Sequence, residues 1–262
     1  MPMRRSKKKQ HPREQFMLKE QLKIEEGVFD NRTMLNLEGL FTHGIISQLE
    51  FLTARGKESD VYIASAGERV KEEFVAVKIF RIETSGFANR EEYIIGDPRF
   101  GRIKGGIFNI VNEWCKKEYG NLKIAESAGV HAPRPYFFRG NVLGMEFIGS
   151  DGMPAPMLKN AKLENPAKML ESILSDMRKL YANELVHADV SEYNVLVKDD
   201  APYLIDFGQA VVLGHPNSAS FLHRDVLNII GYFRKRRGIE ADQNDAYEYI
   251  IGKKRKPNIG KI

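Results

Sequence analysis

The spacing of apolar residues along the chain alternates between the period of a helix and that of a strand. Helical spacing predicts helices over residues 13–26, 33–42, 111–128, 166–183, 218–237 and 242–251. Thr33 and Asn165 are the predicted N-caps of the second and fourth helices. Short runs rich in β-branched and aromatic residues predict strands over residues 45–53, 61–64, 74–80, 136–138, 142–148, 195–197 and 203–205. The order predicts an α+β chain, with an antiparallel sheet first and a mainly helical part after it.

Two polar motifs flank the last pair of predicted strands. Residues 187–194 read H-x-D-x-x-x-x-N, and D-F-G begins twelve residues later at Asp206. A protein-kinase core has this order, because phosphoryl transfer needs a carboxylate to orient the attacking oxygen and oxygen ligands to hold Mg²⁺ against the phosphates. Asp189 is the candidate for the first role, and Asn194 and Asp206 are the candidates for the second. Residues 198–202 have turn composition, so a hairpin is expected to bring Asn194 beside Asp206.

A lysine within an apolar strand is the second candidate feature. Lys78 ends the stretch V-A-V-K, which is similar to the kinase V-A-I-K strand whose lysine binds the α- and β-phosphates. Its buried ammonium needs a carboxylate partner. Glu118 is the predicted partner, because it shares a helix face with Trp114 and Leu122 at i, i+4 spacing. The other two glutamates of that helix are expected to face solvent.

The remaining nucleotide contacts are predicted from position. The loop 54–60 holds one glycine instead of G-x-G-x-x-G, so a phosphate cradle and a plain hairpin turn fit it equally well by itself. The V-A-V-K strand that follows favours the cradle. Its predicted contributors are Gly56, Lys57, Glu58, Ser59 and Val61. On the adenine side, at the hinge and before the D-F-G motif, the predicted contributors are Met145, Glu146, Ile148 and Ile205.

A long loop and a short C-terminal part set the predicted organisation. Residues 81–106 lack periodicity, so we expect a flexible, functional loop with Thr84 and Ser85 as candidate autophosphorylation sites; an inert insertion is the alternative. After D-F-G there is no long activation loop and no A-P-E motif. We expect a basic tail with helices over 1–44, an N-lobe over 45–147 and a reduced C-lobe over 148–262 that lacks a peptide-binding subdomain.

Composition narrows the function classes. The chain has 262 residues, 42% hydrophobic and 29% charged, which is enough for a sizeable core. Cys115 is the only cysteine, so disulfide frameworks and Cys-cluster zinc sites are excluded. No apolar run approaches the roughly 18 residues of a membrane helix, and residues 1–9 lack the apolar segment of a secretory signal. We therefore expect a cytoplasmic protein without a membrane partner.

The net charge of +5 comes from basic runs at residues 4–13, 234–237 and 253–256. Such runs can bind nucleic acid through its phosphates. They fit solvated termini and a helix end equally well, so charge alone leaves both interpretations open.

Together these motifs resemble the Rio family of atypical serine/threonine protein kinases. The matching stretches are residues 56–62 (phosphate loop), 77–78 (ATP lysine), 187–194 (catalytic loop) and 204–209 (metal-binding motif). The S-E-Y-N and I-D-F-G-Q wording is specific to this family. The resemblance covers about residues 31–237 and is greatest to the first Rio subfamily, because residues 1–44 are too short for the winged-helix domain of the second. The short ends favour the archaeal branch.

The resemblance implies a two-lobed protein-kinase-like fold that uses ATP with Mg²⁺, or with Mn²⁺ as a substitute. It implies autophosphorylation, ATPase activity and a role in maturation of the small ribosomal subunit, with its rRNA surface as partner. Two other functions remain open from the residues. A small-molecule kinase of the aminoglycoside or choline type shares H-x-D-x-x-x-x-N, but not D-F-G-Q. A non-catalytic ATP-binding scaffold on RNA would not need the full set of catalytic residues.

Overall fold

The computed structural model describes residues 29–82, 92–100 and 106–261. Its first part is a five-stranded antiparallel sheet in the order β1-β2-β3-β5-β4. The strands are β1 (Ile46–Arg55), β2 (Ser59–Ala66), β3 (Phe74–Phe80), β4 (Pro135–Arg139) and β5 (Val142–Glu146). The predicted antiparallel sheet is therefore present, although β5 ends two residues before the predicted residue 148.

Strand β3 is buried because a helix covers each face of the sheet. Its odd-numbered apolar residues share a core cluster with α1 (Asn31–Thr42), and Ala76 and Phe80 share the larger cluster with α2 (Ile107–Ser127). Side chains alternate along a strand, so Lys78 lies on the same face as Ala76 and Phe80. The sheet therefore presents Lys78 to α2, which begins four residues before the predicted residue 111.

Helix α1 shows one error in the prediction. Its N-cap is Asp30, whose Oδ1 accepts hydrogen bonds from the N–H groups of Arg32 at 2.8 Å and Thr33 at 3.0 Å. The prediction of Thr33 as N-cap was wrong, because the carboxylate three residues earlier takes these donors. Thr33 lies buried in the first turn instead, where its hydroxyl donates to Asp30 and accepts from Asn141 Nδ2 at 2.9 Å.

Helices and short ribbons form the second part. The helices are α3 (Pro166–Ala182), α4 (Ser218–Arg237) and α5 (Gln243–Ile250). The ribbons pair β6 (Gly149–Ser150) with β7 (Met153–Pro154), β8 (Leu185–Val186) with β11 (Val211–Val212), β9 (Val195–Lys198) with β10 (Ala201–Leu204), and β12 (Ile239–Ala241) with β13 (Ile259–Lys261). Asn165 accepts from the N–H of Lys168 at 3.0 Å, which confirms this N-cap.

The hairpin of β9 and β10 is tighter than predicted. Its turn is Asp199–Asp200, with φ of 52° and 54°, so both residues adopt the left-handed conformation of a two-residue hairpin turn. The predicted helix 13–26 and the candidate sites Thr84 and Ser85 lie outside the described residues. The predicted domain limits remain predictions. Within the described ranges, no helix combines the length and apolar content needed to cross a membrane.

Candidate active site

An ion-pair cluster joins the sheet, α2 and Asp206, the second residue after β10. Lys78 Nζ donates to both carboxylate oxygens of Glu118 at 2.8 Å and to Asp206 Oδ1 at 3.0 Å. The side chains of Lys78 and Glu118 are 7% and 1% exposed, whereas that of Asp206 is 38% exposed. Burial alone would lower the pKa of Lys78, but the two carboxylates outweigh it and raise the pKa above its ordinary value. Lys78 therefore stays charged.

Helical periodicity explains why Glu118 reaches Lys78. Trp114, Glu118 and Leu122 follow at i, i+4 spacing on α2, and all three are buried. This is the face predicted from the sequence. Cys115, on the same helix, is fully buried, and burial raises the pKa of its thiol well above the ordinary value.

The catalytic-loop motif follows β8. Asp189 Oδ2 accepts hydrogen bonds from Asn194 Nδ2 at 2.9 Å and from Gln209 Nε2 at 3.1 Å. Asn194 Nδ2 also donates to the Asp189 carbonyl at 2.9 Å. The structure thus brings Asp189 and Asn194 together, and Gln209 is a contact that the sequence analysis did not predict. The feature of the sequence that could have indicated this contact is the glutamine that directly follows D-F-G.

The hairpin joins this loop to the ion-pair cluster. The N–H of Ile205 donates to the carbonyl of Asn194 at 3.0 Å, so Asn194 lies beside the start of the D-F-G motif as predicted. Asp206 itself has φ of 63°, in the left-handed region that non-glycine residues seldom adopt. Such a conformation persists where the surrounding contacts impose it, and it is frequent at functional sites.

His187 packs beneath the D-F-G motif. It is 2% exposed, its ring lies 4.6 Å from the Phe207 ring, and its Nε2 lies 3.1 Å from the Ile205 carbonyl oxygen, which accepts its hydrogen bond. Burial lowers the pKa of His187 to about 4, so the ring is neutral near pH 7.

Asp225 on α4 is a buried residue that the sequence analysis missed. It is 0% exposed, and its two carboxyl oxygens accept the N–H groups of Ala188 at 2.8 Å and Val190 at 2.9 Å. Ala188 has φ of 65°, so Asp225 holds a strained stretch of backbone on both sides of Asp189. Burial raises the pKa of Asp225 to about 8, against the opposing effect of the two N–H donors. The feature of the sequence that could have indicated this residue is an aspartate within the apolar stripe of a predicted helix.

The predicted phosphate loop is a tight turn between β1 and β2. The N–H of Gly56 donates to the Ser59 carbonyl at 2.9 Å, and a Cβ at Gly56 would lie 2.9 Å from that same oxygen, so the turn needs glycine. Lys57 is exposed, while Glu58 and Ser59 are half-buried. Val61 on β2 lies opposite Lys78 on β3, so the turn leads directly to the ion-pair cluster.

The predicted adenine-side residues lie around the end of β5. Met145 is opposite Ala76 on β3, on the face that carries Lys78, and it is buried. Glu146 forms an ion pair with Arg134 at 3.6 Å, and the Ile148 carbonyl accepts from the N–H of Ala155 at 3.0 Å. These contacts fix the segment that follows β5. Ile205 is half-buried.

The donor set suits a hard cation held jointly by protein and phosphate. Asn194 turns its amide nitrogen toward Asp189, so its oxygen is the atom with which it would bind a metal, and Asp206 adds a partly exposed carboxylate. Mg²⁺ prefers oxygen ligands and is usually bound through one or two carboxylates plus substrate phosphates. In the described part of the chain, no group of three or more His, Cys, Asp or Glu side chains is placed to hold a metal by itself.

Comparison with known proteins assigns this chain to a family. The family model described as the RIO domain matches residues 60–246. The chain belongs to the RIO family. It is 39% identical to the RIO-type serine/threonine-protein kinase Rio1 of Haloferax volcanii, over 89% of this chain and 79% of that protein. It is 40% identical to Rio1 of Methanocaldococcus jannaschii, over 91% and 80%, which agrees with the predicted first subfamily and archaeal branch.

A solved structure agrees on the fold. The Rio2 kinase-ADP/Mg²⁺-phosphoaspartate complex from Chaetomium thermophilum aligns with a TM-score of 0.64 at 20% identity, covering 87% of this chain and 71% of that one. The predicted protein-kinase-like fold is therefore confirmed. The names of the relatives also confirm the predicted enzyme class, a phosphotransferase of the serine/threonine-protein kinase type.

Proposed function

We propose that this RIO protein transfers the γ-phosphoryl group of ATP, with Mg²⁺, to serine or threonine hydroxyls, including hydroxyls of its own chain. The observation that carries the proposal is the meeting of Lys78, Glu118 and Asp206 in one ion-pair cluster beside the Asp189–Asn194 pair. The related kinase structure named above contains ADP and Mg²⁺, which supports the same nucleotide and metal here.

Each side chain then has a separate task. Lys78 stays charged between two carboxylates and binds the α- and β-phosphates. Asn194 and Asp206 would hold the metal, which would neutralise charge on the phosphate oxygens. Carboxylate and carbonyl oxygens also suit Mn²⁺. Asp189, oriented by Asn194 and Gln209, accepts the proton of the attacking hydroxyl. The turn Gly56–Ser59 covers the phosphates through backbone N–H groups other than that of Gly56, which bonds Ser59. Met145 with the segment after it lines the adenine side.

ATP hydrolysis is the second activity that we propose for the same site. The Rio2 structure from Chaetomium thermophilum is a phosphoaspartate complex, so an aspartate of that protein carries a phosphoryl group. In this chain Asp189 and Asp206 are the aspartates of the proposed site, and the side chain of Asp206 is 38% exposed. A phosphoryl group transferred to an aspartate and then to water gives net hydrolysis.

We further propose that the partner is the small ribosomal subunit precursor, bound through rRNA. Support comes from exposed basic side chains in two runs: Arg234, Lys235 and Arg236 in the last turn of α4, and Lys253, Lys254, Arg255 and Lys256 after α5. Cations of this kind bind phosphates by releasing counterions, so the affinity should fall steeply with salt.

One experiment tests these proposals together. Purified protein is incubated with [γ-³²P]ATP and Mg²⁺, with and without small ribosomal subunits, and the label on protein and the free phosphate are measured separately. We expect label on the protein by itself and more free phosphate when subunits are added. Free phosphate that does not respond to subunits contradicts the ribosomal proposal. An unlabelled protein whose intact mass is unchanged contradicts autophosphorylation and favours a small-molecule kinase.

A further inference from the structure

Lys117 is a buried cation for which the proposed mechanism has no task. It lies next to Glu118 on α2 and is 2% exposed. Its Nζ donates to the carbonyl oxygens of Gly208 at 2.8 Å and Ala210 at 2.5 Å. Burial of an ammonium group is costly unless hydrogen bonds and charge compensate it, whereas a methionine would fill the space without that cost. A lysine here therefore indicates a need for its hydrogen bonds.

Asn121, one turn later on α2, contacts the same loop. It is 0% exposed, and its Nδ2 donates to the carbonyl oxygens of Phe207 at 2.8 Å and Ala210 at 2.9 Å. Its Oδ1 accepts from Arg99 Nη1 at 2.7 Å, which orients the amide so that the nitrogen faces the loop. The guanidinium of Arg99 is in turn held by two hydrogen bonds to the Asp97 carboxylate. The two side chains of α2 thus make four hydrogen bonds to three carbonyl groups.

The residues 206–210, which we call the metal loop, also pack directly against α2. A Cβ at Gly208 would lie 2.6 Å from Trp114 Nε1 and 3.3 Å from Glu118 Oε2, so a side chain there would displace the loop from the helix. Asp206, at the start of the loop, has the left-handed φ of 63° noted above. Such a conformation requires that hydrogen bonds and close packing fix the residues that follow it.

We propose that Lys117 and Asn121 are positioning residues, which fix the metal loop on α2 so that Asp206 is preorganised to bind Mg²⁺ with the nucleotide. This inference rests on the proposed function. Glu118 and Lys117 are adjacent, so a single turn of α2 holds both the phosphate-binding lysine and the metal-binding aspartate. The competing explanation is that Lys117 and Asn121 stabilise the fold and do not influence the metal. Under the first explanation, substituting these residues weakens the binding of Mg²⁺-nucleotide more than that of metal-free nucleotide. Under the second, the two affinities change equally or not at all.

Matched variants of the full chain separate these explanations. Lys117→Met keeps a long unbranched side chain, one heavy atom shorter than lysine, and removes both hydrogen bonds. Asn121→Asp keeps the acceptor for Arg99 but turns a carboxylate oxygen toward two carbonyl oxygens. Lys116→Met is the control, because Lys116 is an exposed neighbour on the same helix whose ion pair with Glu113 is at 3.5 Å. Thermal unfolding of each variant reports whether it folds.

The measurement is ADP binding by titration calorimetry, once with EDTA and once over a series of Mg²⁺ concentrations. Loss of hydrogen bonds from a charged donor predicts that Lys117→Met weakens Mg²⁺-ADP binding about ten-fold or more. Asn121→Asp should act in the same direction. Both variants should bind metal-free ADP within about two-fold of the parent, because the Lys78–Glu118 pair is intact. Lys116→Met should match the parent under both conditions.

Three outcomes overturn the inference. The first is a folded Lys117→Met protein with the same gain in ADP affinity from Mg²⁺ as the parent. The second is an equal loss of affinity with and without Mg²⁺. The third is a parent protein that gains no ADP affinity from Mg²⁺, which overturns the proposed function as well and so is distinguishable from the first two. If Lys117→Met does not fold, Lys117→Gln, which retains an N–H donor, is measured against the same criteria.

Discussion

Acid should destabilise the protein through His187, because its pKa in the folded state is about 4 and in the unfolded chain about 6.5. Burial lowers the folded pKa, as do the nearby charges of Lys117 and Lys78, while Asp206 and the hydrogen bond to Ile205 oppose this. Between the two pKa values the unfolded chain binds a proton and the folded protein does not. The stability is therefore fully present above pH 6.5 and is lost as the pH falls toward 4.

The difference in pKa sets the size of the effect. The free energy of unfolding should fall by about 2 kcal/mol between pH 7.5 and pH 5.0 from this group, and by about 3.4 kcal/mol once the pH is below both pKa values. Other groups also titrate in this range, so the test compares the parent with His187→Gln, whose amide nitrogen can donate to the Ile205 carbonyl in place of the ring.

Urea unfolding curves at a series of pH values measure the effect for both proteins. We expect the free energy of unfolding of His187→Gln to depend less on pH, by about 2 kcal/mol over the same interval. Parallel pH profiles for the two proteins would refute the reasoning. So would a His187 resonance that titrates near pH 6.5 in the folded protein.

Three further substitutions or reagents probe the site. Asp225→Asn should cost about 1–3 kcal/mol of stability, measured by urea unfolding, because one of the N–H groups of Ala188 and Val190 loses its acceptor. The same substitution should lower kcat more than it lowers nucleotide affinity. An unchanged kcat would contradict the role assigned to Asp225. Glu118→Gln should raise the KM for ATP about ten-fold, because Lys78 loses a charged partner; an unchanged KM would argue against the pair. The Cys115 thiol, with its raised pKa and full burial, should not react with a thiol reagent until the protein unfolds, and rapid reaction in the native state would contradict its burial.

Much of the candidate site followed from patterns that are local in the sequence. The spacing from Asn194 to Asp206 leaves room for one short hairpin, so their proximity was predictable. Glu118 was distinguished from the other glutamates of its helix because helical spacing puts it on the face of Trp114 and Leu122. In each case the deciding contact lies on one secondary-structure element or on two consecutive ones.

The contacts that escaped prediction join elements that are far apart in the chain. Asp225 bonds the N–H groups of Ala188 and Val190 across 37 and 35 residues, and Lys117 reaches Gly208 across 91. A polar residue within an apolar helix face was the visible sign in both cases, but it does not identify the partner. The error at Thr33 has a different cause, since Asp30 and Thr33 are both good N-caps and the carboxylate of Asp30 takes the N–H donors.

The most direct test of the central claim is autophosphorylation by Asp189→Ala. The parent and the variant are incubated with [γ-³²P]ATP and Mg²⁺, and ADP binding is measured in parallel by calorimetry. The account predicts a labelled parent and a variant that binds ADP with similar affinity but takes up no label. The reason is that the substitution removes the carboxylate held by Asn194 and Gln209 and retains the Lys78–Glu118 pair. Equal labelling of the two proteins would contradict it.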